Sequence, residues 1–251
     1  MALVSLMIIC SIISRMSAGG KSPLVRMGKF NDLQKAAEDF RYLLNRRYPR
    51  KASLEIAGNR YGLTFDERHL LHRGVFSDAD SEARRKKIIS IKTIKAKALA
   101  IDGHNVLITV EAGLSGRPLI LADDGFVRDI SGLSGKFKKT QMTDKAVQLT
   151  LAFLKKWKPR HSLFLLDAPI SKSGILAQEL RTLFKKEGLP GDALAMKVPE
   201  NILIGFQGVI ATSDTAIIDR SEKVIDLAGE IIRMRIGLKS LLRWKRRRLR
   251  R

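Results

Sequence analysis

An α/β fold with a doubly wound, mainly parallel sheet, preceded by a small all-α domain, is predicted by three features of the sequence. The first is a set of short apolar runs, 98–101, 119–122, 162–166 and 209–212, each bounded by turn residues. Continuous runs of this length read as strands buried on both faces, as in parallel sheets. The second is the longer segments between and before them, whose apolar residues recur at the three- and four-residue spacing of amphipathic helices. The third is what ends each run: Asp102, then Asp123 and Asp124, then Asp167, then Asp214. Ligands of open α/β sheets bind just past the carboxyl ends of the strands. Four runs ending in carboxylates therefore predict one acidic site at one edge of one sheet.

The elements follow in chain order. Residues 1–26 form an apolar leader in which 1–14 carry no charge. It is short of the ~20 residues of a membrane span, and no basic residue precedes its apolar run as in a secretory signal. The preferred reading is an over-long start with Met27 as the functional first residue; a weak membrane anchor is the second. Residues 27–80 form the helical domain. Phe30, Leu33, Ala37, Phe40 and Leu44 share one helix face over 30–48, with Asn31 as its cap and Pro49 as its stop. Two short helices follow, 54–61 and 65–73, the second opened by Thr64 with Glu67 in the capping-box position. The pair reads as an ordinary helical hairpin, or as a helix-turn-helix. Residues 77–82 read as a linker, and 84–97, seven basic residues among fourteen, as a basic element leading into the first strand.

Residues 81–238 form the α/β domain. After Asp102, the segment 105–111 fits either a strand or a crossover helix. Thr143 caps a long amphipathic helix. Ser171-Lys172-Ser173-Gly174 opens another, where Ser173 acts as an N-cap or Lys172 and Ser173 receive a phosphate. Residues 193–198 fit one more strand, and Ser221 caps a final helix. Residues 239–251 are a basic tail with eight cationic residues, no acid, and Trp244, a residue able to stack on a base.

Charge is the outlier of the composition. The chain carries 47 Lys+Arg against 25 Asp+Glu, a net +22 in 251 residues. Taking the tail's eight charges away leaves +14, so the body is basic too. Such an excess predicts a polyanionic partner. The one cysteine, Cys10, excludes an internal disulfide and a cysteine-built zinc site. Carboxylates gathered in one place repel one another and are best retained where cations sit among them. Mg²⁺ and Mn²⁺ favour such oxygen ligands and promote phosphodiester cleavage. An acid cluster in a strongly basic chain thus points to a metal-dependent nuclease. A plain alternative stands beside it: an Asp just after a strand is often a helix cap or a turn residue. Of the four histidines, His104 is the one beside the site; His69, His72 and His161 have no ligand cluster nearby.

Ile101-Asp102-Gly103-His104-Asn105 resembles the opening motif of the PIN-like nucleases, above all their NYN branch. Leu165-Leu166-Asp167-Ala168-Pro169 is similar to the family's middle acidic strand end. Thr212-Ser213-Asp214, with Asp219 beyond, is similar to its late motif. The resemblance covers roughly 97–238. It implies a PIN-like fold and a Mg²⁺- or Mn²⁺-dependent ribonuclease, with Asp102, Asp167 and Asp214 as metal ligands. It further implies that Asn105 orients Asp102 or a water, and that Asp219 supports the second side. Lys136, Lys138, Lys139, Lys172, Ser173 and Arg220 are the residues expected to hold nucleic acid, RNA ahead of DNA. The sequence departs from the pattern at Ala216, where a second Asp is expected, and Glu111 is a poor fit for the acid of the early helix. The part from Phe30 to Phe76 resembles a small helical domain paired with such a domain in uncharacterised prokaryotic proteins.

Two other functions fit the same features: an inactive nucleic-acid-binding module and a helix-turn-helix regulator. Asp66 and Glu67 on the would-be reading helix count against the regulator, because they would face phosphates. A cytoplasmic protein without stable membrane association is expected.

Overall fold

The computed structural model describes residues 23–130, 137–237 and 241–244, with side chains described from Phe30 onward. Residues 1–22 with Cys10, Lys136 and 245–251 lie outside the described residues. The chain divides into two compact units. One comprises 1–83, 116–131 and 238–251; the other comprises 84–115 and 132–237.

The first unit starts with α1 (Pro23–Asn45), α2 (Arg50–Arg60) and α3 (Phe65–Gly74). Phe30, Leu33, Ala37 and Phe40 of α1 are buried together with Ala57, Leu70 and Leu71, as the helical period requires. Asn31 lies inside α1 and caps nothing, because the helix begins eight residues earlier. The Thr64–Glu67 capping box is complete: Thr64 Oγ1 accepts from the Glu67 N–H, and the Glu67 carboxylate accepts from the Thr64 N–H. The expected linker is helical. In α4 (Asp78–Lys87), Ser77 supplies the cap, its Oγ accepting from the Asp80 N–H at 3.1 Å, and Asn45 Oδ1 accepts from the Asp78 N–H at 2.7 Å. The basic element 84–97 is not a strand: 84–87 complete α4, and 91–94 form a 3₁₀ turn.

The unit also contains a three-stranded sheet. Strands β2 (Leu119–Leu121) and β3 (Val127–Asp129) form an antiparallel pair, and β8 (Leu241–Arg243) joins β2 in parallel. Ile120 and Leu242 enter the core of the helices. Trp244 follows β8, half-buried, with its indole packed against that core and its Nε1 buried.

The second unit is the doubly wound domain. Its strands are β1 (Ala98–Asp102), β4 (His161–Asp167), β5 (Gly191–Met196), β6 (Val209–Ala211) and β7 (Val224–Ile225). All are parallel, in the order β5-β4-β1-β6-β7. The connecting helices are α5 (Gly103–Leu114), α6 (Gln141–Trp157), α7 (Ser173–Lys186), α8 (Glu200–Gly205), α9 (Thr215–Asp219) and α10 (Leu227–Ile231). A π-helical turn, Ile232–Ile236, ends the unit.

Residues 105–111 belong to α5, which is apolar nearly all round and correspondingly buried nearly throughout. Thr140 rather than Thr143 caps α6; Thr143 sits three positions on, and its hydroxyl donates to Glu111 at 2.7 Å. Ser221 caps no helix and bonds the Ile217 carbonyl, while Asp226 caps α10. Among the described residues no helix is long and apolar enough to cross a membrane.

The chain leaves β1 for the β4-β5 side of the sheet and later returns to the β6-β7 side. The strand order therefore reverses between β1 and β6. At such a switch point the flanking loops diverge and leave a crevice at the carboxyl ends of the strands.

Candidate active site at the strand ends

Asp102 closes β1 at that crevice. In the parallel registers, Asp102 faces Leu165 on β4 and Ile101 faces Ala211 on β6. Thr212 thus stands level with Asp102; Asp167 lies two residues further along β4, and Asp214 two residues further in the turn that follows β6. The switch point brings the three predicted carboxylates to one edge.

Asp102 is buried, with 7% of its surface exposed. Helix α5 starts at the next residue, yet the carboxylate is not seated as its cap and draws only weak help from the Asn105 N–H. Its Oδ2 accepts instead from the Thr212 hydroxyl at 2.7 Å. Gly103 permits this abrupt turn: a Cβ there would lie 2.9 Å from the Leu165 carbonyl oxygen and 2.5 Å from the Leu166 side chain. Burial pushes the Asp102 carboxyl up to about 7, the Thr212 hydroxyl opposes this, and the charges of Asp214 and Asp167 add to the rise.

Asp214 is exposed and caps α9, its Oδ1 accepting from the N–H groups of Ala216 (2.8 Å) and Ile217 (3.3 Å). The Thr212 Oγ1 that donates to Asp102 also accepts from the Asp214 N–H at 3.0 Å. One hydroxyl therefore ties two of the acids together. Asn105 holds the same turn from α5: its Oδ1 accepts from the N–H and the hydroxyl of Ser213, both at 2.9 Å. The side chain expected to orient Asp102 or a water thus positions the Ser213 turn through its Oδ1.

Asp167, at the end of β4, is held by His104. The His104 Nδ1 lies 3.1 Å from Asp167 Oδ2 and 3.0 Å from the Asp167 backbone nitrogen. In one tautomer Nδ1 accepts from the N–H, and in the other it donates to the carboxylate. Its Nε2 lies 3.5 Å from Ser173 Oγ, and Phe137 meets the ring edge-on. His104 is therefore a positioning residue. The signal that could have found it is its place two residues after Asp102, on the first turn of a buried helix.

Other expected residues lie elsewhere. Asp123 belongs to the first unit, gripped by Arg41 through Nε (2.8 Å) and Nη2 (3.0 Å). Asp124 is paired with Arg128 through two 2.8 Å bonds, and Asp129 with Arg73 at 3.3 Å. These three acids pair with two buried arginines and the half-buried Arg73, and do not join the strand-end site. Asp219 ends α9, where Arg84 binds both its oxygens at 2.7 and 2.8 Å, so it does not support the second side of the site. Arg220, next to it, lines a cleft with the first residues of β1 and β6, at the opposite, amino-terminal edge of the sheet. Ser173 is no phosphate ligand: it is buried, and its hydroxyl lies within bonding distance of the Asp167 and Ile170 carbonyls. The cap position of α7 falls to Lys172, which is left-handed and exposed. Lys139 is held by Glu179 and Asp144; burial alone would weaken its charge, but these partners outweigh it. Lys138 is exposed.

Among the described residues no three His, Cys, Asp or Glu side chains converge to ligand distance of one ion. Mg²⁺, however, keeps most of its waters and takes one or two carboxylates from the protein. Among the described residues Asp167 Oδ1 and Asp214 Oδ2 carry no hydrogen bond, and buried Asp102 has no cationic partner. These all-oxygen donors fit such an ion.

The second unit is thus a doubly wound α/β domain with carboxylates at its switch point. The chain belongs to the family described as Domain of unknown function (DUF5616), which it matches over residues 91–230. Residues 32–87 match a second family, Protein of unknown function (DUF434). The chain is 37% identical over 202 residues to the uncharacterized protein MJ0935 of Methanocaldococcus jannaschii, covering 80% of this chain and 96% of that one. No solved structure matches it.

Proposed function

We propose that this protein is a Mg²⁺- or Mn²⁺-dependent nuclease of the PIN-like type, acting on RNA in the cytoplasm. The observation that carries the reading is Asp102, a buried carboxylate at the switch point that shares its edge with Asp167 and Asp214 and is repelled by both. A fold retains such a group at a cost in stability, and strain of this kind concentrates at functional sites. The net charge of +22 supports a polyanionic substrate.

In this reading Asp102, Asp167 and Asp214 hold the cation, which would supply Lewis acidity for phosphodiester hydrolysis. The protein does the rest by positioning. Thr212 fixes Asp102 and the start of the Asp214 turn. Asn105 locks that turn to α5. His104, with Nδ1 3.1 Å from Asp167 Oδ2, positions that carboxylate. The basic surface, with Lys138 and Lys172 among its exposed residues, attracts the phosphate backbone.

A second reading, a nucleic-acid-binding module without turnover, is favoured by Ala216 in the late motif and by the absence, among the described residues, of a ready three-ligand group. Cleavage of mixed single-stranded and structured RNA with Mg²⁺ or Mn²⁺ separates the two. Metal-dependent cutting that disappears in Asp102→Asn is the expected result. RNA binding without cutting supports the module. Equal cutting by both proteins refutes the role given to Asp102.

A further inference from the structure

The second unit has another concave site at the edge opposite the aspartates. A cleft of about 490 Å³ opens where β1, β6 and β7 begin. Lys97, Arg160, Arg220 and Lys223 line it, and Glu222 is the one acid of its lining. Each of these four cations is exposed, and none forms an ion pair or side-chain hydrogen bond with the described residues. Elsewhere in the unit, Arg84, Lys139, Lys155 and Arg233 all have carboxylate partners. Four unpaired cations around one hollow repel one another, and an anion relieves this.

The backbone holds these cations in place. The Arg160 N–H donates to the Lys97 carbonyl at 2.8 Å, which sets the two side by side before β4 and β1. The Ile210 N–H donates to the Lys223 carbonyl at 3.1 Å, which fixes Lys223 against β6. The cleft also has an aromatic wall. Phe206 packs on Gly208 so closely that a Cβ there would lie 2.6 Å from its ring and 2.6 Å from the Ala98 carbonyl oxygen. Gln207 adds an amide at the rim. An aromatic face for a base, an amide for its edge and a net excess of three positive charges suit one class of ligand. A volume of ~300–1,000 Å³ is usual for small-molecule pockets.

We infer that this cleft binds a nucleoside polyphosphate, with its base against Phe206 and its phosphates on Lys97, Arg160, Arg220 and Lys223. The same chemistry is available from a free nucleotide or from the phosphorylated end of an RNA strand, and the experiment distinguishes these sources. The site is separate from the strand-end aspartates and needs none of them.

The test is calorimetric titration of the full chain in EDTA with ATP, ADP, AMP, pyrophosphate and a short oligoribonucleotide with and without its 5′-phosphate. EDTA keeps the aspartate edge out of the measurement. The expected result is one-to-one binding of ATP and ADP, weakened at least ten-fold by Arg220→Ala and by Lys223→Ala. Phe206→Leu is expected to weaken ADP but not pyrophosphate, and Asp102→Asn to change neither. Tighter binding of the 5′-phosphorylated strand than of ADP, lost in the same variants, assigns the site to RNA ends. Absence of ATP and ADP binding, binding that survives the charge substitutions, or equal affinity for the unphosphorylated strand overturns the inference. Cleavage of RNA is read separately, so the nuclease proposal and this one can fail independently.

Discussion

Replacing Asp102 by Asn should make the cation-free protein more stable, not less, and only above acidic pH. The ordinary carboxylate pKa is near 4, and Asp102 stands at about 7, raised by burial first and then by Asp214 and Asp167. At ~1.4 kcal/mol per pH unit, ionised Asp102 costs the fold on the order of 4 kcal/mol. The folded pKa lies above the unfolded one, so the folded state holds the extra proton between them. Stability therefore falls as pH rises from about 4 to about 7 and stays low above. Asn keeps the shape and an oxygen for the Thr212 hydroxyl, at a cost of ~1 kcal/mol for a poorer acceptor set. The net gain near pH 8 is about 3 kcal/mol, a rise of about 6–12 °C in the unfolding temperature for a unit of this size. The assay is thermal unfolding in EDTA at pH 4, 6 and 8. Wild type and variant should converge at pH 4 and separate by pH 8. A variant no more stable at pH 8, or a gap that ignores pH, refutes the argument that Asp102 is a buried, uncompensated charge.

Two other substitutions probe the supports. Thr212→Val removes the hydroxyl that serves both Asp102 and the Asp214 N–H; it should raise the Asp102 pKa further and cut divalent-cation affinity several-fold, read by Mn²⁺ titration, and unchanged affinity would count against the link. Arg41→Met takes the two-pronged guanidinium from the buried Asp123 carboxylate, which keeps the Phe76 N–H, and should destabilise the first unit by about 3 kcal/mol, seen as lost amide protection in α1 and α3. The double variant Arg41→Met/Asp123→Leu should recover most of this, and a single variant with native protection would show the pair to be dispensable.

Much of this protein is legible locally. Four short apolar runs became strands, and the acids closing three of them share one edge. Capping boxes at Thr64 and Thr140 depend on residues three apart, so sequence reveals them or places them within a turn. The failures have a different character. Leu119–Leu121 has the same local pattern as the strands of the main sheet, apolar residues followed by Asp. It nonetheless pairs with β3 and with β8, some 120 residues later. Nothing within the run distinguishes the two fates, because a strand's neighbours are chosen by long-range hydrogen bonding and packing. Asp123, Asp124 and Asp129 left the site with that strand and became partners of Arg41, Arg128 and Arg73. Asp219 left it because five-residue α9 carries the chain back toward the other edge, where Arg84 takes it.

Composition and periodicity determined the class of fold, the basic surface and the strand ends at which carboxylates stand, since these rest on burial and on bonds between near neighbours. The tertiary structure decided which carboxylates meet, that Thr212 and His104 hold them, and that four unpaired cations gather at the opposite edge. Those outcomes depend on strand order and register, which are set by contacts between residues far apart in the chain.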